Sequence, residues 1–168
     1  DVDAVFGYVG LFDLRDKGLA KVIWSAAEDS YQYTRQTVLL VTDAFAQRHP
    51  QAVQRVVNAV VKTTHQYSDE NRRAELFAQW GKTEYPEKVW REDFVGQPLR
   101  VRLSPLLDPF LAVSYKDPAE QALQLKLIRK KPEIDSWFDR RYLNTALKEL
   151  QLEGYWPSYA ADGKLQTR

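Results

Sequence analysis

The sequence predicts a helix-rich α/β fold, and two features of the chain support this prediction. Before Thr42 there are three runs rich in β-branched and aromatic residues, which is typical of strands. After Pro50 the apolar residues recur every three to four positions, which is the pattern of amphipathic helices. With 168 residues, 44% of them hydrophobic and 28% charged, the chain has the size and composition of one folded domain.

Three strands are predicted, over residues 3–8, 20–24 and 37–41. They lie in the apolar runs AVFGYVG, LAKVIWSA and TVLLVT, the last of which is bounded by polar residues at both ends. A short helix or turn, LFDLRDKG, separates the first two and is closed by Gly18. The polar segment AEDSYQYTRQ has no apolar period and is predicted to be the loop before the third strand.

These strands are too few to form a stable sheet of their own, because an isolated strand pair is only marginally stable. We therefore expect them to pair with segments outside this chain, or to cause self-association of the fragment. The apolar side chains that need such a sheet to bury them are Val5, Phe6, Val9, Ile23, Leu39 and Val41.

Four main helices are predicted, near residues 50–66, 69–80, 117–130 and 139–151. Pro50 suits the first position of the first helix, Ser68 suits the cap of the second, and Pro118 is expected to start the third. The first helix carries an amphipathic stripe formed by Val53, Val56, Val57, Val60 and Val61. The segment LRVRLS could form a short strand, and the final YWPSYAADGKLQTR is expected to be unstructured.

Most active-site chemistries are excluded by what the chain lacks. It has no Cys, and its two histidines, His49 and His65, are too far apart in sequence to suggest a metal site. No phosphate-binding loop, nucleophile elbow or zinc-protease motif occurs. We therefore expect no catalytic residue, metal or cofactor, and the net charge of +1 argues against nucleic-acid binding. The absence of Met indicates a mature or truncated chain.

Four residues are candidates for binding a ligand. Gly7 and Tyr8 lie at the end of the first predicted strand, where ligands sit in open α/β sheets. Tyr33 and Arg35 lie on the loop that leads into the third strand, and an arginine side chain can hold an oxyanion through two hydrogen bonds. The alternative interpretation is an ordinary polar loop with a surface arginine.

The order of the segments resembles the C-terminal half of a periplasmic solute-binding protein. The match runs from VDAVFGYVG through GLAKVIW and YTRQTVLLVTDAFAQRHPQAVQRVVNAVVKT to DPAEQALQLKLIRKKPEIDSWFD. The chain is similar to the family of solute-binding proteins that serve ABC importers of aliphatic sulfonates, taurine and nitrate. Members of this family have a type 2 periplasmic-binding fold of two lobes. The resemblance implies that residues 1–36 end the second lobe and form the crossover, that 37–156 form the helical part of the first lobe, and that 157–168 form a tail.

The resemblance also implies a function. The chain would be the extracytoplasmic binding component of an ABC importer, located in the periplasm or anchored to the cell surface, with a small anionic solute and the transporter permease as partners. The ligand would lie between the lobes, against Gly7, Tyr8, Tyr33 and Arg35. A Pro that relatives often carry soon after VDA is absent here, so the particular solute is not implied. The alternatives are an enzyme like the thiamine-precursor synthases, which share this fold but use Cys and His residues, and a helical interaction domain.

Overall fold

The structure, a computed structural model, describes residues 3–7, 9–26 and 38–166. Nine α-helices and a short 3-10 turn (Glu70–Arg72) lie in these residues. The helices are α1 (Gly10–Asp16), α2 (Asp43–Arg48), α3 (Pro50–Tyr67), α4 (Arg73–Trp80), α5 (Glu87–Asp93), α6 (Leu99–Arg102), α7 (Pro109–Gln124), α8 (Ile134–Trp137) and α9 (Arg140–Glu149).

The prediction of an α/β fold is wrong for the described part of the chain, which is helical and contains no sheet. One isolated antiparallel bridge, between Tyr159 and Leu165, is its only β pairing. The predicted strands at 3–7, 20–24 and 38–41 are irregular, while positions 8 and 37 lie outside the described residues. β-Propensity measures how well a side chain fits a half-buried pleated surface, and a strand forms only where a neighbour pairs with its backbone.

The apolar side chains of these segments are mostly exposed. Phe6 is 91% exposed and Ile23 is 87% exposed, and Val5, Leu39 and Val41 are exposed as well. Val9 differs from them because it is buried at the start of α1, which packs against α5. Five of the six residues expected to need a sheet are therefore exposed, and the sixth, Val9, is buried without one.

The main core lies between α3 and α9, as the periodic patterns of both helices predict. α3 begins with Pro50 and runs to Tyr67, within one residue of the predicted range. Its stripe is split, because Val53 and Val61 are buried while Val56 and Val60 are exposed. The buried residues of this core are Val61, Leu143, Ala146, Leu147 and Trp156.

A second core joins α4, α5 and α6 through Leu76, Phe77, Phe94 and Leu99. Gly81 ends α4 where the chain turns closely back on α5. A Cβ at this position would lie only 2.7 Å from the Cβ of Glu87, so the approach requires glycine. The predicted strand in LRVRLS is wrong, because this segment forms α6 and buries Leu99 and Val101.

The predicted helix 117–130 begins earlier and ends earlier than the sequence suggests. Asp108 caps α7 by accepting a hydrogen bond from the Leu111 N–H at 2.9 Å, and Pro109 occupies the first turn. Pro118 therefore lies inside the helix, at a point where proline was expected to begin one. A proline there costs one backbone hydrogen bond, which the buried face of α7 (Phe110, Leu111) offsets.

The segment after α9 packs against the helices although it is irregular. Trp156 and Tyr159 are buried, and the Tyr159 N–H donates to the carboxylate of Asp108 at 3.2 Å. The prediction that this segment is unstructured is wrong, because both aromatic side chains are buried and Tyr159 forms a β bridge with Leu165. This segment forms one side of the cleft described below.

Candidate functional site

Of the four predicted ligand-binding residues, only Gly7 lies in the described part of the chain. Tyr8, Tyr33 and Arg35 lie outside it, so the convergence of the four residues stays a prediction. Gly7 is exposed and lies close to the first turns of α1. A Cβ at Gly7 would approach the Cδ1 atom of Leu11 to 3.3 Å, so glycine allows a tight approach of the backbone to α1.

A network of charged side chains attaches α1, which follows Gly7, to α5. The guanidinium of Arg15 donates to both carboxylate oxygens of Glu92, at 2.5 and 2.6 Å, and to Asp16 at 2.7 Å. Lys88 of α5 lies 2.6 Å from the other Asp16 oxygen. The hydrogen bond from Arg15 lowers the pKa of Glu92, and hydrogen bonds from Lys88 and then Arg15 lower the pKa of Asp16. Both carboxylates are therefore held in their charged forms.

An open cleft of about 560 Å³ lies beside the C-terminal end of α3. Tyr155 forms part of its wall and contacts His65 edge to face, with 4.4 Å between the ring centroids. Trp156 contacts Tyr155 at 4.9 Å and is anchored by a hydrogen bond from its Nε1–H to the hydroxyl of Ser68 at 3.0 Å. Because Trp156 is only 2% exposed, the wall of the cleft rests on the main core.

The guanidinium of Arg100 lies over the Tyr155 ring, 4.3 Å from its centroid, at the same cleft. This is a cation–π contact, and it orients the planar group without using its N–H donors. The sequence reasoning missed this pair. The two residues are far apart in sequence, and the LRVRLS segment that contains Arg100 was interpreted as a strand.

A second, smaller groove of about 340 Å³ follows the outer face of α3. It is lined by Val56, Ala59, Val60, Thr63 and Thr64, and it is mostly apolar. Together with the exposed segments at 3–7, 20–24 and 38–41, it leaves much apolar surface uncovered. Large apolar patches on a protein surface commonly mark contact sites.

Within the described residues, His, Cys, Asp and Glu side chains nowhere gather in the groups of three that could hold a metal ion. The same part of the chain contains no helix with the length and apolar character needed to cross a bilayer.

No protein-family model matches the chain, and no curated protein sequence matches it. A solved structure matches the chain. It is that of a protein from Methylobacillus flagellatus KT, described as the periplasmic sulfonate-binding protein SsuA of a sulfonate ABC transporter. The two share 27% sequence identity with a TM-score of 0.72, over 90% of this chain and 47% of that one. The resemblance to a periplasmic solute-binding protein is thus confirmed at the level of structure, and this chain spans about half the length of the protein it matches.

Proposed function

We propose that the chain is part of an extracytoplasmic solute-binding protein that delivers a small molecule to an ABC importer. The observation that supports this most is the structural similarity to a periplasmic sulfonate-binding protein over 90% of the chain. The binding role requires no catalytic residue and no cofactor. Its partners would be the solute and the permease of the importer, and its location would be the periplasm or the outer face of the cell membrane.

For the solute we propose a small anion of the sulfonate, taurine or nitrate class, held by Gly7, Tyr8, Tyr33 and Arg35. Arg35 is the main anchor, because a guanidinium can donate two parallel hydrogen bonds to an oxyanion. Gly7 permits close approach of the backbone, and Tyr8 and Tyr33 supply aromatic surface and hydroxyl groups. The similar protein is described as a sulfonate-binding protein, which supports this class of ligand.

Calorimetric titration of the complete gene product with ethanesulfonate, taurine and nitrate tests this proposal. A hydrogen bond to a charged group contributes about 1.5–3 kcal/mol, so Arg35→Ala should weaken binding of the preferred anion by about one to two decades. Arg48→Ala is the matched control, because Arg48 is an exposed arginine whose Nε–H donates within its own helix to Ala44. Equal binding by the parent protein and Arg35→Ala would show that Arg35 is an ordinary surface residue.

An enzyme of the thiamine-precursor synthase type is the weaker alternative, since the chain has no Cys and the similar structure is a transporter binding protein. We also propose that the 168-residue chain self-associates, since several large apolar side chains near its N-terminus are exposed.

A further inference from the structure

The cleft beside α3 contains one cation that the described structure leaves without a hydrogen-bonded partner. Arg72, on the same cleft, donates to both oxygens of Glu75 at 2.8 and 2.9 Å and to the side-chain oxygen of Gln66. Arg100 instead makes a cation–π contact with Tyr155, and its guanidinium forms no hydrogen bond or ion pair with residues 3–7, 9–26 and 38–166. Its N–H donors are therefore free to bind a ligand.

The Tyr155 ring, over which Arg100 lies, is held in place by neighbouring side chains. Tyr155 is held between His65 and Trp156, and Trp156 is buried and hydrogen-bonded to Ser68. A guanidinium that already contacts an aromatic ring, as Arg100 contacts Tyr155, loses less rotational freedom on binding than a free arginine side chain. Because Arg100 contacts Tyr155 through the aromatic ring and not through a hydrogen bond, its N–H donors can pair with an acceptor that has two oxygens.

The acidic residues of the cleft limit the charge of such a ligand. Glu70 uses both carboxylate oxygens, one for Arg73 at 2.7 Å and one for the Leu99 N–H at 2.6 Å, and its pKa is lowered mainly by Arg73. Asp69 accepts from the Asn71 N–H at 2.9 Å through one oxygen. Because Arg73 balances the charge of Glu70, Asp69 is the carboxylate of this lining whose charge acts against a second negative charge on the ligand.

We propose that this cleft binds a small, singly charged organic carboxylate, whose two oxygens pair with the guanidinium of Arg100. The site shares no residue with Gly7, Tyr8, Tyr33 and Arg35, so it is a second anion site and stands independently of the proposed transport function. The apolar part of the ligand would lie against Tyr155 and Pro98, which line the same cleft.

The test is a titration of the 168-residue chain with sodium propionate at constant ionic strength, followed through the backbone amide signals of residues 99–100 and 155–156. We expect saturable shifts with a millimolar dissociation constant, and we expect binding to be about tenfold weaker in Arg100→Gln. Arg55→Gln is the matched control, because Arg55 is an exposed arginine of α3 that is outside the cleft lining. Its binding should equal that of the parent chain.

The effect of ligand charge is tested with a second ligand and a second variant. Succinate, with two charges, should bind more weakly than propionate, and Asp69→Asn should reduce this difference. Shifts that do not saturate, equal binding by Arg100→Gln and the parent, or tighter binding of succinate than of propionate would each overturn the proposal.

Discussion

At the scale of single residues, two buried polar side chains form hydrogen bonds that connect distant parts of the chain. Asp108 caps α7 with one carboxylate oxygen and accepts the Tyr159 N–H with the other. Ser68, at the end of α3, accepts the indole N–H of Trp156. Both residues are buried, so each hydrogen bond replaces one that water would otherwise supply.

We predict that Trp156→Phe lowers the free energy of unfolding by about 2 kcal/mol or more. The substitution removes the hydrogen bond to the buried Ser68 hydroxyl and leaves unfilled volume in the main core. Urea denaturation followed by circular dichroism measures the change. Trp137→Phe is the control, because Trp137 is 57% exposed and its loss should change stability by less than about 0.5 kcal/mol. Equal effects of the two substitutions would contradict the role of Trp156.

At the scale of elements, the sequence predicts a helix well when its start residue and its apolar period are both visible in the local sequence. α3 has Pro50 at its start and a valine stripe along its length, and both features can be recognised without knowing the fold. The predicted limits of the helix that contains Pro118 are wrong, because the true limits of α7 depend on packing. Pro118 is a strong local signal for a helix start, yet the buried residues of the first turns extend the helix back to Asp108.

The contact between α1 and α5 should depend on pH. Because the hydrogen bond from Arg15 lowers the pKa of Glu92 below its ordinary 4.5, the ion pair stabilises the folded state above that value. Its contribution is lost as the pH falls through the pKa of the folded state. We therefore expect Glu92→Gln to reduce the hydrogen-exchange protection of α1 amides at pH 7, and the difference from the parent chain to shrink at acid pH.

Glu75→Gln is the control for this experiment, because Glu75 pairs with Arg72 and belongs to α4. It should leave the protection of α1 unchanged at either pH. A difference between Glu92→Gln and the parent that is the same at both pH values would show that the charge on Glu92 is not what holds α1.

At the scale of the whole molecule, the apolar surface near the N-terminus is the feature that the described helices leave unexplained. Phe6, Ile23 and Leu40 are exposed in irregular backbone that lacks strand partners within the described residues. The chain also spans only about half of the similar binding protein. Uncovered apolar side chains beside unpaired backbone favour association with another surface.

We expect the 168-residue chain to self-associate, with a weight-average mass that rises with concentration in sedimentation equilibrium. The double substitution Ile23→Ser and Leu40→Ser should shift the mass towards that of a monomer, because it removes apolar area from this surface. Leu127→Ser is the control, since Leu127 is also highly exposed but follows α7. A parent chain that stays monomeric over the whole concentration range would exclude self-association through these segments.

The sequence by itself determined the helical character of the chain after Pro50, the extent of α3 and the resemblance to a periplasmic solute-binding protein, whereas its α/β prediction was wrong. These properties depend on composition, local periodicity and the order of segments, which can be read along the chain. Only the tertiary structure decided that 20–24 and 38–41 form no strands, that Pro118 lies within α7, and that Arg100 lies over the Tyr155 ring. Each of these outcomes depends on a partner distant in sequence or on the absence of one, and neither propensity nor spacing contains that information.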